Sequence, residues 1–236
     1  MRQVIVTGAA RGLGLEIAKK HLELGDTVWA CVRKENGAIR SMKETYGDRV
    51  RMLLCDLGDG GQVKKAWEAI AAENINVDLV YNVAGTAFVE ERTVLSETDI
   101  DKCLPVFNVN ALGILRVLKE TAPFLKAGSV VVNVTSEAGS IAACPRSAEY
   151  GYCMSKAAAN MASRLFDNQY REKGIRTLCV HPGWVKTDMG GKEAMASENA
   201  IWPEESAEAI VKLALEADQI PEHVMYLDYQ GKELPW

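Results

Sequence analysis

Short apolar runs alternate with longer amphipathic segments along the whole 236-residue sequence. The runs are rich in β-branched residues, which is typical of strands buried on both faces; they cover residues 4–7, 27–32, 50–55, 77–83, 129–135 and 175–180. Helical spacing predicts helices at 13–25, 63–73, 112–125, 152–174 and 203–217. Because parallel strands need long crossover connections, this alternation favours a parallel sheet. We therefore predict a doubly wound α/β fold of Rossmann type, with helices on both faces of the sheet.

The pattern continues without a break in composition, which predicts one domain over residues 1–236. Gly25 is predicted to end the first helix, since glycine is favoured just past a helix C-terminus. The longest irregular stretch, residues 183–202, contains a Gly pair and two tryptophans. A loop of that length in a compact domain is typical of a functional lid, so we expect this stretch to cover a substrate.

Composition and charge disfavour several classes of function. Lys and Arg number 27 against 32 Asp and Glu, and the formal net charge is −5, so the chain lacks the cationic field that nucleic acids and anionic membranes attract. No run approaches the ~20 apolar residues of a membrane span. The six cysteines contain no CxxC pair, which argues against a zinc site and favours free thiols in a reducing compartment. We expect a cytoplasmic protein that binds no nucleic acid, membrane or metal.

A glycine-rich turn follows the first predicted strand. Residues 7–14 read TGAARGLG and place Gly8, Gly12 and Gly14 where the strand passes into a helix. Bare backbone at such a turn can approach a pyrophosphate, whose charge the helix N-terminus stabilises. This position between strand and helix is the context that a dinucleotide-binding motif requires. The alternative is a glycine-rich turn without a ligand.

The residues after the second and third strands indicate which dinucleotide is bound. Enzymes that use NAD usually carry a carboxylate after the second strand, and that carboxylate repels a 2′-phosphate. This sequence has Arg33 and Lys34 there, and Arg11 in the glycine turn supplies a second guanidinium for a phosphate. We therefore predict NADP(H) in preference to NAD(H), the alternative being that Arg33 and Lys34 form a solvated charge pair. Asp56 is predicted to accept a hydrogen bond from the adenine amino group or, alternatively, to cap a helix.

Tyr152 and Lys156 are the candidate catalytic pair. Residues four apart share a helix face, so both side chains can point into one cleft. A phenol titrates near pH 10 and needs a nearby cation to act at neutral pH; Lys156 is predicted to supply it. Ser136, at the end of the fifth predicted strand, can hydrogen-bond a carbonyl oxygen. Tyr150 and Ser140 are weaker alternatives, because Tyr150 has no lysine four residues on and Ser140 lies farther past the strand.

Six motifs in order resemble the short-chain dehydrogenase/reductase family over essentially the whole chain. They are TGAARGLG at 7–14, NVAG at 82–85, NVNALG at 108–113, NVTS at 133–136, YCMSK at 152–156 and HPGWVKT at 181–187. Within the family, YGYCMSKAAAN and GKELPW are most similar to the branch of sniffer-type carbonyl reductases and C-factor proteins. Two features depart from the family pattern. Val83 replaces an Asn, and the loop 139–151 is longer than in many members, so we expect it to reshape the substrate entrance.

The resemblance implies a role for each matching residue. Tyr152 is the general acid, Lys156 lowers its pKa and binds the nicotinamide ribose, and Ser136 orients the substrate oxygen. Asn110 holds a water that links Lys156 to solvent, and Thr187 binds the nicotinamide carboxamide. Other residues of these motifs, or next to them, are implied as cofactor contacts: Leu13, Leu57, Asn82, Ala84, Gly85, Pro182, Gly183 and Val185.

These expectations lead to NADPH-dependent reduction of a small or medium apolar ketone or aldehyde, or the reverse oxidation of an alcohol. The alternative from another class is a cofactor-binding signalling protein with incidental turnover, and a sugar-nucleotide epimerase is disfavoured because the chain has no room for a second substrate domain.

His181 is expected to be structural. Four lid residues either wall the substrate pocket or pack the lid: Trp184, Met189, Met195 and Trp202. In many relatives, helices near 112–125 and 152–172 form a dimer, so a homo-oligomer is expected.

Overall fold

The computed structural model describes residues 1–87 and 93–236, and within them the strands form one parallel sheet. The strands are β1 (Gln3–Thr7), β2 (Thr27–Val32), β3 (Val50–Leu54), β4 (Val77–Asn82), β5 (Leu125–Val134), β6 (Arg176–His181) and β7 (Tyr226–Asp228). Their order across the sheet is β3-β2-β1-β4-β5-β6-β7, and every neighbouring pair is parallel. The predicted doubly wound α/β fold is confirmed.

Helices cover both faces of this sheet. They are α1 (Gly12–Glu23), α2 (Gly37–Tyr46), α3 (Gly60–Glu73), α4 (Cys103–Phe107), α5 (Gly113–Thr121), α6 (Tyr150–Tyr170), α7 (Gly191–Ala196) and α8 (Pro203–Leu215). Successive strand residues point to opposite faces, so Val4 and Val6 pack with α1, α2 and α8, whereas Ile5 packs with α3, α5 and α6. The core is therefore two apolar layers with the sheet between them.

The structure differs from the sequence prediction in several elements. Strand β7 and helices α2, α4 and α7 were not predicted; β7 has only three residues, α2 buries only Ile39 and Met42, and α4 and α7 have five and six residues. The helix predicted at 112–125 is observed as α5 but ends early, at Thr121; a 3-10 turn follows, β5 already begins at Leu125, and a π-helical turn at Asn108–Leu112 precedes α5. The predicted end of α1 is confirmed, because Gly25 follows the C-cap with φ +86°. No helix in the described part of the chain is long and apolar enough to cross a bilayer.

The strand order creates a crevice next to β1. The chain leaves β1 towards β2 on one side, and β4 lies on the other side, so the connections diverge at the carboxyl ends of β1 and β4. Ligands of open α/β sheets bind in such a crevice. Thr7 joins its two walls, because its hydroxyl oxygen accepts hydrogen bonds from the backbone N–H groups of Val83 (2.9 Å) and Ala84 (3.0 Å).

The last residues of the sequence pack behind the turn that follows β5. The Tyr226 hydroxyl donates to the carbonyl oxygen of Ser136 at 2.5 Å. Ser140 donates to the carbonyl oxygen of Pro235 at 2.6 Å, and the backbone N–H of Ala142 donates to that of Trp236 at 2.9 Å. The position of Ser136 therefore depends on β7 and on the residues after it.

Candidate active site

The glycine turn lies at the mouth of the crevice and leaves room for a ligand. Gly8 and Gly12 have φ of +70° and +54°, a left-handed region that favours glycine. A Cβ on Gly14 would lie 2.5 Å from the carbonyl oxygen of Gly8, so a side chain there would push the turn apart. The Arg11 side chain makes no capping hydrogen bond at the start of α1. The first amides of the helix are therefore available to an anionic group such as a pyrophosphate.

Three cations belong to this turn and to the end of β2. Arg33 and Lys34 are exposed directly after β2. Arg11 forms an ion pair with Asp188 of the predicted lid, and both side chains are largely exposed. Because an exposed pair of this kind is worth about 0–1 kcal/mol, a doubly charged phosphate can compete for Arg11. These residues therefore fit a phosphorylated ribose at this end of the crevice.

Asp56 follows β3 and holds its own turn. Its carboxylate accepts a hydrogen bond from the backbone N–H of Gly58 at 2.8 Å. The alternative role of Asp56 as a helix cap is wrong, because Asp59 caps α3 by accepting from Gly61 and Gln62. Asp56 is half-buried beside the crevice. A hydrogen bond from the adenine amino group therefore stays its predicted role.

Several residues expected to contact a cofactor face the core instead of the crevice. The side chains of Leu13 and Leu57 are buried in the two apolar layers, so each offers only its backbone to a ligand. The Ala84 backbone lies against Gly8, since a Cβ on Gly8 would come within 3.0 Å of the Ala84 Cα. Val185 is also buried and bridges to Ile201 across the base of the predicted lid.

Pro182 and Gly183 connect β6 to the lid. The Pro182 carbonyl accepts from the Ser206 hydroxyl at 2.7 Å. Gly183 has φ +82°, and a Cβ there would come within 2.9 Å of Ile201, so the close approach requires glycine. Thr187 follows and lies against the glycine turn, because a Cβ on Gly12 would meet its methyl group at 3.3 Å.

Tyr152 and Lys156 lie on one face of α6, as predicted from their spacing. The Lys156 Nζ is 5.7 Å from the centroid of the Tyr152 ring and donates a hydrogen bond to the Val134 carbonyl oxygen at 3.0 Å. Lys156 is 5% exposed. Burial lowers its pKa to about 8, against an opposing effect of the Glu137 charge. At neutral pH the ammonium form therefore still predominates next to the phenol.

The phenol of Tyr152 is protonated at neutral pH. Burial raises its pKa to about 12, while a hydrogen bond with Ser136 and the charge of Arg146 lower it. The Arg146 guanidinium carbon lies 5.5 Å from the ring centroid, as close as the Lys156 ammonium. The expected lowering of this pKa by Lys156 is thus not observed, because burial outweighs the opposing effects and Arg146 is the cation that opposes it. Tyr152 can serve as a proton donor, with Ser136 beside its hydroxyl and two cations beside its ring.

Asn110 lies on the π-helical turn between α4 and α5, a type of distortion common at functional sites. Its side chain accepts from the Thr86 N–H (2.7 Å) and donates to the Thr86 carbonyl (2.8 Å) and to the Ser155 hydroxyl (3.0 Å). A Cβ on Gly85 would lie 3.3 Å from Asn110 Oδ1 and 3.8 Å from Lys156 Nζ. The missing side chain of Gly85 thus keeps open a space between Asn110 and Lys156.

Asn82 supports the neighbouring strands. Its amide donates to Asn133 Oδ1 at 2.7 Å, and Asn133 in turn donates to Ser163 of α6 at 2.8 Å. Asn82 Oδ1 is buried and has no hydrogen-bond partner within the described residues. This chain of contacts fixes β4 and β5 relative to the helix that carries Tyr152.

Sequence reasoning missed a cluster of charged residues beside Ser136. Glu137 accepts from the Ser136 hydroxyl at 2.6 Å and from Arg146 at 2.5 Å. Arg146, in the loop 139–151, also forms an ion pair with Glu149. His181 Nδ1 lies 3.2 Å from Glu137 Oε2, although it does not meet hydrogen-bond geometry. Only the position of Glu137 next to Ser136 could have indicated this cluster, because the long loop could not be placed from the sequence.

The weaker candidates lie as follows. Ser140 donates to Pro235 and so faces the end of the sequence rather than the crevice. Tyr150 is the first residue of α6. His181 was expected to be only structural, yet it lies against Glu137 in the site, and burial lowers its pKa.

All four apolar lid residues are substantially exposed: Trp184, Met189, Met195 and Trp202. Met189 Cε lies 3.8 Å from the space that Gly85 leaves open, so it can contact a ligand there.

Comparison with known proteins decides the family. The model of the short chain dehydrogenase family matches residues 2–198. The chain belongs to this family. It is 38% identical over 163 residues to C-signal of Myxococcus xanthus, a stretch that covers 68% of this chain and 93% of that protein.

Solved structures agree with the fold of this short-chain dehydrogenase. The NADPH-bound carbonyl reductase from chicken fatty liver is 25% identical, with a TM-score of 0.86 over 100% of this chain and 99% of that one. The carbonyl reductase Sniffer of D. melanogaster is 23% identical, with a TM-score of 0.85 over all of both chains, and this similarity concerns the fold. The protein is thus an oxidoreductase of a family that uses nicotinamide dinucleotides.

Proposed function

We propose that this short-chain dehydrogenase reduces a ketone or aldehyde to an alcohol with NADPH. The observation that carries the proposal is that Tyr152, Ser136 and Lys156 meet at one crevice with the glycine turn. When bound there, NADPH supplies a hydride for the carbonyl carbon. Tyr152 donates its phenolic proton to the carbonyl oxygen, which Ser136 holds in place. Lys156 stabilises the resulting phenolate, because its ammonium lies beside the ring.

Asn110 and Lys156 are proposed to return the proton to Tyr152. The space kept open by Gly85 lies between these two side chains, and it suits a water molecule that links the ammonium to solvent. Thr187 lies over the glycine turn, where it is proposed to bind the nicotinamide carboxamide. The other predicted cofactor contacts are proposed to act through their backbone.

Preference for NADP(H) is proposed from charge. Arg33 and Lys34 occupy the position where a carboxylate would select NAD, and Arg11 in the glycine turn is a third exposed cation. The NADPH-bound carbonyl reductase of chicken, which has the same fold, supports this preference. Affinities for NADPH and NADH, measured by fluorescence titration, are expected to favour NADPH in the wild type and to converge in Arg33→Asp. Equal wild-type affinities would contradict the proposal.

The reaction is tested by NADPH oxidation with a panel of ketones and aldehydes. We expect turnover in the wild type and at least a hundredfold lower kcat in Tyr152→Phe, since acid–base catalysis by a positioned side chain contributes about 10²–10⁴-fold. The Tyr150→Phe variant is the matched control and should retain activity. Full activity of Tyr152→Phe would overturn the role of Tyr152 as the acid.

A second candidate function is signalling by the cofactor-bound protein, with incidental turnover. It is favoured by the 38% identity to the protein named C-signal. The two candidates differ in one result. If a cellular phenotype of gene deletion is restored by Tyr152→Phe although reduction is lost, signalling is the function; if it is not restored, catalysis is.

We further propose that residues 1–236 act as one domain, with 183–202 as a lid, and that the chain forms a homo-oligomer through α4 to α6. The exposed apolar side chains on that face include Leu104, Leu115, Met154, Met161 and Leu165. Several exposed apolar side chains on neighbouring helices are typical of an interface. All six cysteines are free thiols, which supports the proposed cytoplasmic location.

A further inference from the structure

The Ser136 hydroxyl donates its hydrogen to a neighbouring carboxylate in this structure. Ser136 donates to Glu137 Oε2 at 2.6 Å, and its oxygen accepts from the Ala138 N–H at 3.2 Å. A serine hydroxyl has a single hydrogen. While that hydrogen is bound to Glu137, Ser136 cannot donate it to a carbonyl oxygen. A substrate must therefore either take the hydrogen from a carboxylate or offer the carboxylate another donor.

Glu137 is an ionised and partly exposed acceptor. Burial raises its pKa, but hydrogen bonds from Ser136 and Arg146 and the charges of His181 and Arg146 outweigh this effect, so the pKa lies below its usual value. The side chain of Glu137 is 32% exposed. Hydrogen bonds to a charged acceptor are stronger than those between neutral groups, so a carbonyl oxygen alone competes poorly for the hydrogen of Ser136.

We propose that Glu137 selects carbonyl substrates with a hydroxyl group on the carbon next to the carbonyl. This inference rests on the proposed carbonyl reduction. The substrate hydroxyl replaces Ser136 as the donor to Glu137, and Ser136 then turns its hydrogen to the substrate carbonyl oxygen. Every hydrogen-bonding group keeps a partner in this exchange, whereas a plain ketone leaves Glu137 with one donor fewer.

The distances permit this exchange. A carbonyl oxygen bound by Ser136 lies about 2.8 Å from its Oγ, and Glu137 Oε2 lies 2.6 Å from the same atom. The two oxygens of an α-hydroxy carbonyl compound are on neighbouring carbons, so they can face Ser136 and Glu137 together. An α-hydroxy group is thus the shortest donor that reaches both.

The charges around Glu137 disfavour an anionic group at the same place. The cluster combines the carboxylates of Glu137 and Glu149 with the guanidinium of Arg146. Arg146 is already paired with both carboxylates, so it is not free to bind the carboxylate of a substrate. An α-keto acid would bring its carboxylate against Glu137, and like charges in such a site repel. Selection is therefore for a neutral donor.

The test compares hydroxyacetone with butan-2-one, which is nearly isosteric, and with pyruvate. The kcat/KM ratio of hydroxyacetone to butan-2-one is measured with NADPH in wild type and in Glu137→Gln. Taking the ratio between the two proteins cancels the intrinsic reactivity of the ketones. We expect the preference for hydroxyacetone to fall about tenfold in Glu137→Gln, as for one hydrogen bond to a charged group, and relative turnover of pyruvate to rise.

Glu149→Gln is the matched control, because it removes the same charge next to Arg146, whereas the carboxylate that accepts from the Ser136 hydroxyl belongs to Glu137. It should keep the wild-type preference. An unchanged ratio in Glu137→Gln, or an equal fall in Glu149→Gln, would overturn the inference while leaving carbonyl reduction intact. Absence of wild-type turnover with every carbonyl compound would instead overturn the proposed function, and this inference with it.

A second measurement does not depend on the folding of a variant. Propane-1,2-diol and butan-2-ol are compared as inhibitors of the wild-type enzyme, competitive with the carbonyl substrate. The diol carries the second donor, so it is expected to bind about tenfold more tightly. Equal inhibition constants would refute the role of Glu137 in selection.

Discussion

Replacing Lys156 with Met is predicted to stabilise the fold at neutral pH while activity is lost. Burial lowers the pKa of Lys156 from 10.5 to about 8. Keeping this ammonium protonated in the folded state therefore costs roughly 3 kcal/mol. Met fills a similar volume without charge, but the Val134 carbonyl loses its hydrogen bond, which costs about 1 kcal/mol. The free energy of unfolding should rise by about 2 kcal/mol at pH 7, because the cost of the charge exceeds the lost bond.

The pH dependence of this difference has a definite sign. Below pH 8, Lys156 is protonated in both the folded and the unfolded protein, so the whole cost is present. Between pH 8 and 10.5, the unfolded chain binds more protons than the folded protein, and wild-type stability rises with pH relative to the variant. The advantage of Lys156→Met should therefore shrink over this range and vanish above it.

Urea unfolding followed by circular dichroism, at pH 7 and at several values up to about pH 10, measures both quantities. Lys64→Met is the control, since Lys64 is exposed on α3, and its substitution should change the free energy of unfolding by less than about 0.5 kcal/mol at every pH. A Lys156→Met protein less stable than wild type at pH 7 would refute the reasoning. So would a difference that stays constant between pH 7 and 10.

The remaining predictions concern the glycine turn, a helix cap and the exposed apolar face. In Gly14→Ala the new methyl group lies 2.5 Å from a carbonyl oxygen of the turn, so NADPH affinity by fluorescence titration should fall by about tenfold or more; Gly37→Ala, which meets nothing within 4 Å, should bind normally, and normal binding by both contradicts the reasoning. Asn36→Ala removes the cap of α2 and a bond to the glycine turn, and should lower the free energy of unfolding by about 1 kcal/mol in a urea titration; an unchanged midpoint would be the opposing result. Leu165→Glu should convert the oligomer to monomers in size-exclusion chromatography with light scattering, unless the wild type is itself monomeric, which would refute the oligomer.

The sheet could be predicted because its strands are long, apolar and separated by turn residues. A short continuous apolar run rich in β-branched residues indicates a strand buried on both faces, so β2 was predicted at its observed bounds of Thr27–Val32, where all six residues are buried. Strand β7 was missed because three residues at a sheet edge carry too short a pattern. The end of α5 was predicted too late for another reason: the 3-10 turn Ala122–Phe124 continues the apolar pattern of the helix up to β5.

The candidate site likewise contains residues whose relation local sequence determines and contacts that depend on the rest of the fold. Tyr152 and Lys156 could be paired from their spacing, because both lie on one helix and local geometry fixes their relation. The salt bridge between Glu137 and Arg146 could not be predicted, since it joins a strand end to a loop nine residues on whose path depends on the rest of the fold. The ion pair of Arg11 with Asp188, 177 residues apart, was equally inaccessible to a local pattern.

The hydrogen bond from Tyr226 to the backbone of Ser136 has a consequence for biosynthesis. It spans 90 residues of sequence, so the turn that holds the serine stays incomplete on the ribosome until β7 has been translated and released from the exit tunnel. Contacts of such long range form slowly. A nascent chain that already contains the glycine turn, the serine and the tyrosine should therefore bind cofactor before it gains the ability to turn over substrate.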